Sequence, residues 1–159
     1  MKKLIYILIL TLSLTNSSFS AGTSSVSSSS DYTKAYNLIK LAKKYEKKGK
    51  TEKAQKKYTK AQKLLLKSNK EKPLQADTLN YLGFTTRKLG DYKKGEKFYL
   101  EGLKIDPNHT GINEYLGELY VVTNRIDLAK ERLEVLKACE CEEFKQLNEI
   151  INGTKKSKY

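Results

Sequence analysis

The chain of 159 residues has room for one domain and a leader, and its formal charge of +13 is the strongest compositional signal. Residues 31–72 hold 15 lysines and no arginine against Asp31, Glu46, Glu52 and Glu71, whereas residues 73–159 balance 14 basic with 14 acidic side chains. A field gathered at one end favours acidic partners or anionic surfaces. Arginine is the residue suited to bidentate phosphate contacts, so its absence there speaks against nucleic acid. The plainer alternative is a set of solvated helix faces.

Met1–Ser20 opens on Lys2 and Lys3, continues through an apolar run from Leu4 to Leu14 broken by Thr11 and Ser13, and ends on small residues. That is the layout of a secretory signal peptide, with Ser18 and Ser20 placed for cleavage at about Ser20/Ala21. The apolar core is about half the roughly 20 residues a membrane span needs, and no cysteine stands at the cleavage site for lipid attachment. The expected location is the periplasm, with secretion as the alternative. Residues 21–30, ending in GTSSVSSSS, read as a disordered Ser-rich linker with nothing to bury.

From Asp31 the apolar spacing turns helical. Leu38, Leu41, Ala42 and Tyr45 lie on one face; Gly49 breaks the run; Ala54, Tyr58, Ala61 and Leu65 resume it on a second helix. Pro73 disfavours helix in the residue before it and marks a boundary. Gly49-Lys50-Thr51 spells the end of a phosphate-binding loop, but that motif needs a glycine where Lys44 stands and a strand before it. A helix–turn–helix accounts for these residues instead.

Asp77 to Pro107, DTLNYLGFTTRKLGDYKKGEKFYLEGLKIDP, forms the clearest helix pair. Leu79, Leu82 and Gly83 mark its first helix, Leu89-Gly90-Asp91 the turn, and Gly95, Tyr99, Gly102 and Leu103 the second. A further copy follows at a fixed offset: Leu82 recurs as Leu116, Gly83 as Gly117, Gly95 as Ala129 and Tyr99 as Leu133, each 34 residues on. Asn124-Arg125 replaces the Gly-Asp turn. Residues 142–152 then carry Phe144, Leu147, Ile150 and Ile151 on one helical face, and 153–159 is a basic tail.

A helix pair repeating every 34 residues resembles the tetratricopeptide repeat. The resemblance covers 31–152, with repeats at about 35–68, 76–109 and 110–139 and a capping helix at 142–152. It implies an all-α solenoid whose terminal helix shields the last open face. It implies close helix crossings at Ala42, Gly83, Gly95, Gly102, Gly117 and Ala129. Because glycine within a helix costs about 1 kcal/mol relative to alanine, and the family tolerates alanine there, Gly95→Ala is expected to raise the melting temperature.

The resemblance further implies a concave partner groove. Its positions transfer to Tyr36, Ile39, Lys43, Glu46 and Lys47, to Asp77, Asn80, Phe84, Arg87 and Lys88, and to Glu114, Glu118, Val121 and Val122. Phe84 is either a partner anchor or a cover for the neighbouring repeat, and the enrichment of aromatics at binding hot spots favours the anchor. Chaperone-tail relatives clamp a terminal carboxylate with Lys, Asn and Arg. Here Glu114 and Glu118 stand in the third repeat instead, so the groove is expected to run from basic to acidic.

Cys139 and Cys141 are the only cysteines. Export favours a disulfide, whereas continued helix would point the two side chains apart, leaving bridged, reduced structural and redox or metal readings open. His109 is the sole histidine and has no cluster of further ligands beside it. No set of nucleophile, base and orienting residue is present, so neither an enzyme nor a cofactor is expected. Asn16, Asn108 and Asn152 begin weak glycosylation sequons. The function expected is therefore protein binding in the exported compartment. The alternative is electrostatic attachment of the Lys-rich first repeat to anionic lipid or a polyanion.

Overall fold

A computed structural model describes residues 30–157. The leader at 1–20, the linker up to residue 29 and Lys158 of the tail lie outside these residues. Seven α-helices and no strand occur among the described residues: α1 Asp31–Lys47, α2 Thr51–Glu71, α3 Ala76–Lys88, α4 Tyr92–Ile105, α5 Thr110–Val122, α6 Ile126–Leu136 and α7 Glu142–Ile151. Among them none is long and apolar enough to cross a membrane.

Local chemistry sets most boundaries. Ser30 caps α1 by accepting the Thr33 N–H at 3.2 Å, and Asp91 caps α4 by accepting from Lys94 N at 3.0 Å. The turn inside each helix pair needs one residue of positive φ: Gly49 at 67°, Gly90 at 95° and Asn124 at 57° fill that place in turn. Asparagine tolerates this region better than other non-glycine residues, which is how the third repeat manages without glycine. The first pair is longer than the second mainly through α2, which has 21 residues against 14 in α4.

Helices pair as α1 with α2, α3 with α4 and α5 with α6, and α2–α3 and α4–α5 contacts join the pairs. The first helices α1, α3 and α5 also touch in series along one side, leaving α2, α4 and α6 on the other. Helix α7 packs on α5 and α6, with Leu147 seated directly over Gly117. Hydrogen bonds stitch the first pair to the second: Gln55 Nε2 donates to the Lys88 carbonyl at 2.9 Å and Gln62 Nε2 to Thr86 Oγ1 at 2.8 Å. Farther along, Arg125 donates both terminal nitrogens to the Glu96 carboxylate, each at 2.8 Å, a bidentate pair that Gly-Asp could not supply.

The crossings are tight enough to overturn one expectation. A Cβ at Gly83 would fall within 3.0 Å of three atoms of the fully buried Tyr99 ring. A Cβ at Gly95 would meet Arg87 Cγ at 2.7 Å and the Gly83 carbonyl oxygen at 3.1 Å. The helix-propensity gain of Gly95→Ala is therefore opposed by backbone and a buried side chain, and the substitution is expected to destabilise rather than stabilise.

Cys139 and Cys141 are bonded to each other. The objection to a bridge held only for unbroken helix, and the chain leaves helix here: a 3-10 turn over Lys137–Cys139 is followed by Glu140 in the left-handed region at φ 48°. That reversal brings two side chains that a helix would separate to the same side. It also redirects the chain into α7.

Candidate functional site

The groove is built from α1 and α3. A concavity of about 320 Å³ is lined by Lys43, Glu46 and Lys47 from α1 and by Phe84 and Lys88 from α3. All five are groove positions implied by the repeat register. Three ammonium groups face one carboxylate, so the concavity carries net positive charge. Lys43 Nζ stands 4.4 Å above the Phe84 ring and donates to the Tyr115 hydroxyl at 3.2 Å. Lys88 Nζ lies 2.6 Å from Glu46 Oε1, and the Tyr58 hydroxyl donates to Glu46 Oε2 at 2.8 Å. Glu46 thus holds Lys88 in place across the gap between repeats, while exposed Lys47 has no such tie.

The floor is aromatic. Phe84 is wedged between Tyr58, at 5.8 Å between ring centroids, and Tyr115, at 5.1 Å. Only 1% of Phe84 is exposed. The anchor reading is corrected accordingly: Phe84 covers the joint between three successive repeats, and only its edge borders the concavity. Burial pushes the phenols of Tyr58 and Tyr115 far above their usual value. Glu46 reinforces this at Tyr58 and Glu114 at Tyr115. Both therefore stay protonated, and the Tyr58 hydroxyl serves Glu46 as a lasting donor.

Four further implied groove residues are buried instead. Arg87, 2% exposed, extends under α5, where its Nη1 donates to the Tyr115 carbonyl and its guanidinium lies 6.0 Å from the Tyr99 ring centre. Glu114 and Glu118 are buried with it, and their charges act on the same Tyr99 hydroxyl that Arg87 acts on. A guanidinium among two carboxylates offsets the cost of burying each. Asn80 is buried over Gly111, where an added methyl would lie 2.8 Å from its Nδ2. The basic-to-acidic gradient along the groove is thus corrected, because the acidic half is inside. Ile39 is core as well.

The remaining positions divide. Tyr36 is 37% exposed and lies 5.5 Å from Tyr81 with the two rings tilted, and Lys40 stands above it at 4.6 Å. Asp77 is at the surface, 3.2 Å from His109 Nε2; the opposite ring nitrogen, Nδ1, accepts from Ile112 N at 3.2 Å and so caps α5. Val121 is half-buried and Val122 exposed. Tyr58, Tyr81 and Tyr115 were not among the expected groove residues. The repeat period held the signal, since Tyr115 follows Tyr81 by 34 residues. Among the described residues, no three His, Cys, Asp or Glu side chains gather as a metal site would require.

Residues 76–109 match the family model described as a tetratricopeptide repeat. No curated protein matches the sequence. Among solved structures, the fold is similar to the first TPR of Spaghetti (RPAP3) bound to the HSP90 peptide SRMEEVD, at 21% identity and a TM-score of 0.51 over 78% of this chain and 97% of that one. It is also similar to the type III secretion translocator chaperone SycD of Yersinia enterocolitica, at 19% identity and a TM-score of 0.52 over 75% and 79% of the two chains.

Proposed function

We propose that this chain, whose residues 76–109 match a tetratricopeptide-repeat model and whose fold is similar to that of such proteins, is a non-enzymatic adaptor holding an acidic segment of a partner protein in its concave groove. One observation carries the reading: Lys43, Lys47 and Lys88 surround a concavity of about 320 Å³ floored by an aromatic edge. A carboxylate-bearing side chain of such a segment is matched by the lysines. The Spaghetti complex, which holds a peptide with two glutamates and an aspartate, supports the idea that this fold accommodates such a segment. The compartment proposed is the exported one, in the bacterial envelope. The leader pattern and the Cys139–Cys141 bond both support it, since disulfides persist where thiols are not kept reduced.

The test is crosslinked recovery of partners from the native compartment with the wild-type chain and with Lys43→Glu/Lys47→Glu. Lys47 is exposed, whereas Lys43 is part-buried and hydrogen-bonded to the Tyr115 hydroxyl. Recovery is therefore compared only after helical content and urea midpoint are matched, with Lys47→Glu alone as the variant that leaves the packing untouched. Reversing two charges should reduce recovery of a groove-bound partner by at least about tenfold, since charge-assisted contacts contribute about 1.5–3 kcal/mol each. Undiminished recovery would remove the groove as the binding site.

A further inference from the structure

A second charged surface lies on the opposite side of the first repeat, away from the groove. Helix α2 turns Ala54, Tyr58, Ala61 and Leu65 inward. Its other flank presents Lys53, Lys56, Lys57, Lys60 and Lys63, which with Tyr45 and Thr59 line an open concavity of about 520 Å³. Spacings of three and four residues keep these five ammonium groups on one face, over a length of about 15 Å. Lys67, the next in the row, is taken up by Asp31 at 2.8 Å and Glu71 at 3.6 Å. The five before it form no ion pair among the described residues, and the only acid among residues 51–70 is Glu52.

We infer that this flank of α2 is a peripheral docking face for an anionic lipid bilayer. Three features favour a bilayer over a polyanionic chain. The cations are all lysine, whose ammonium is a strongly hydrated point charge on a flexible stem. That suits a fluid headgroup layer, where no fixed bidentate geometry is offered. The one aromatic lining the concavity, Tyr45, is half-buried, whereas single strands are usually held on open rings on which successive bases stack. Leu66, just beyond Lys63 in the next turn, is 44% exposed, and a bilayer can take up an apolar side chain beside the charges. Adsorption here leaves the α1–α3 groove facing away from the surface and open to a partner.

The test is co-sedimentation of the full chain with vesicles of phosphatidylcholine, alone or mixed with phosphatidylglycerol. The wild type is compared with Lys56→Gln/Lys60→Gln/Lys63→Gln and with the equal-charge control Lys130→Gln/Lys145→Gln/Lys156→Gln. The leader, present in all three, contributes equally. Each lysine near a charged surface should change partitioning about 5-fold, so the α2 variant should bind anionic vesicles about 100-fold more weakly. The control should stay close to wild type. Binding should also collapse between about 0.1 M and about 1 M salt, as the screening length falls from ~10 to ~3 Å. Equal losses in both variants, or equal uptake by uncharged vesicles, would overturn the inference. So would tighter binding to single-stranded DNA than to anionic vesicles at the same salt, with that binding lost in the α2 variant.

Discussion

Replacing Gly95 with alanine sets two opposed effects of known size against each other inside the second helix pair. The gain is intrinsic, about 1 kcal/mol for removing a glycine from a helix interior. The loss is steric. The added methyl would stand 2.7 Å from Arg87 Cγ and 3.1 Å from the Gly83 carbonyl oxygen. Arg87 cannot swing aside, because it is 2% exposed and its Nη1 is bonded to the Tyr115 carbonyl. Gly83 is itself packed against the Tyr99 ring of the same helix α4, so the two helices can part only by giving up that contact. Overpacking of this kind costs about 1–3 kcal/mol, so the net loss is about 1 kcal/mol. For a folded unit of this size that is a fall in Tm of about 4 °C. Gly102→Ala is the internal control. The nearest atom to its methyl is Ile112 Cδ1, the free end of a side chain, with Leu79 Cβ next at 3.4 Å. It should therefore be closer to neutral. Thermal and urea unfolding followed by far-ultraviolet circular dichroism would rank the variants. A Gly95→Ala chain at least as stable as wild type, or less destabilised than Gly102→Ala, would refute the steric account.

Phe84→Ala should destabilise the fold by about 3–5 kcal/mol, because the ring fills the joint between Tyr58 and Tyr115. Urea unfolding reads this directly, and a loss below about 1 kcal/mol would return Phe84 to the surface. Stability should also fall steeply in alkali. Burial raises the phenols of Tyr32, Tyr58, Tyr81, Tyr99 and Tyr115 above their ordinary 10.0, that of Tyr32 to about 12. Each folded phenol keeps a proton that the unfolded one releases. The stabilisation is therefore whole below about pH 10 and is lost as pH rises through the folded values. The phenolate absorbance of these five rings and the helical signal should change together above pH 10; all 11 phenols titrating by about pH 10 with the helices intact would contradict the burial of these rings.

What was legible in the chain follows from which interactions are local. Helical spacing and the turn residues Gly49, Gly90 and Asn124 act within a few positions, and the 34-residue period aligns one helix pair with the next. The register also selected Lys43, Lys47 and Lys88 for the concave side, where the structure brings them together. Register tells which way a side chain points but not how closely the neighbouring repeat shuts over it. Phe84, Arg87, Glu114 and Glu118 point inward along the groove side and are nonetheless covered. The disulfide turned on one backbone angle at Glu140, and nothing in the residue type of a glutamate announces a left-handed conformation. Gly95 differed for a related reason: propensity is a property of the residue, whereas the clash belongs to a crossing distance.

The placement of charge links both proposed surfaces to how the first repeat is held. Fifteen lysines between residues 31 and 72 repel one another, and such self-repulsion works against the compact state. A few pairs relieve it locally, among them Asp31 with Lys67 and the part-buried Glu46 with Lys88, but they leave most of the excess charge in place. What fastens this repeat to the rest is the apolar seam: Tyr32 and Tyr36 against Tyr81, and Tyr58 against Phe84. The seam is buried and directional, so it tolerates the field without needing opposite charge inside the chain. Carboxylates that could have neutralised the groove, Glu114 and Glu118, are instead buried where Arg87 extends. The positive potential is thereby left without neutralisation from these carboxylates, which is the condition that both proposed surfaces require.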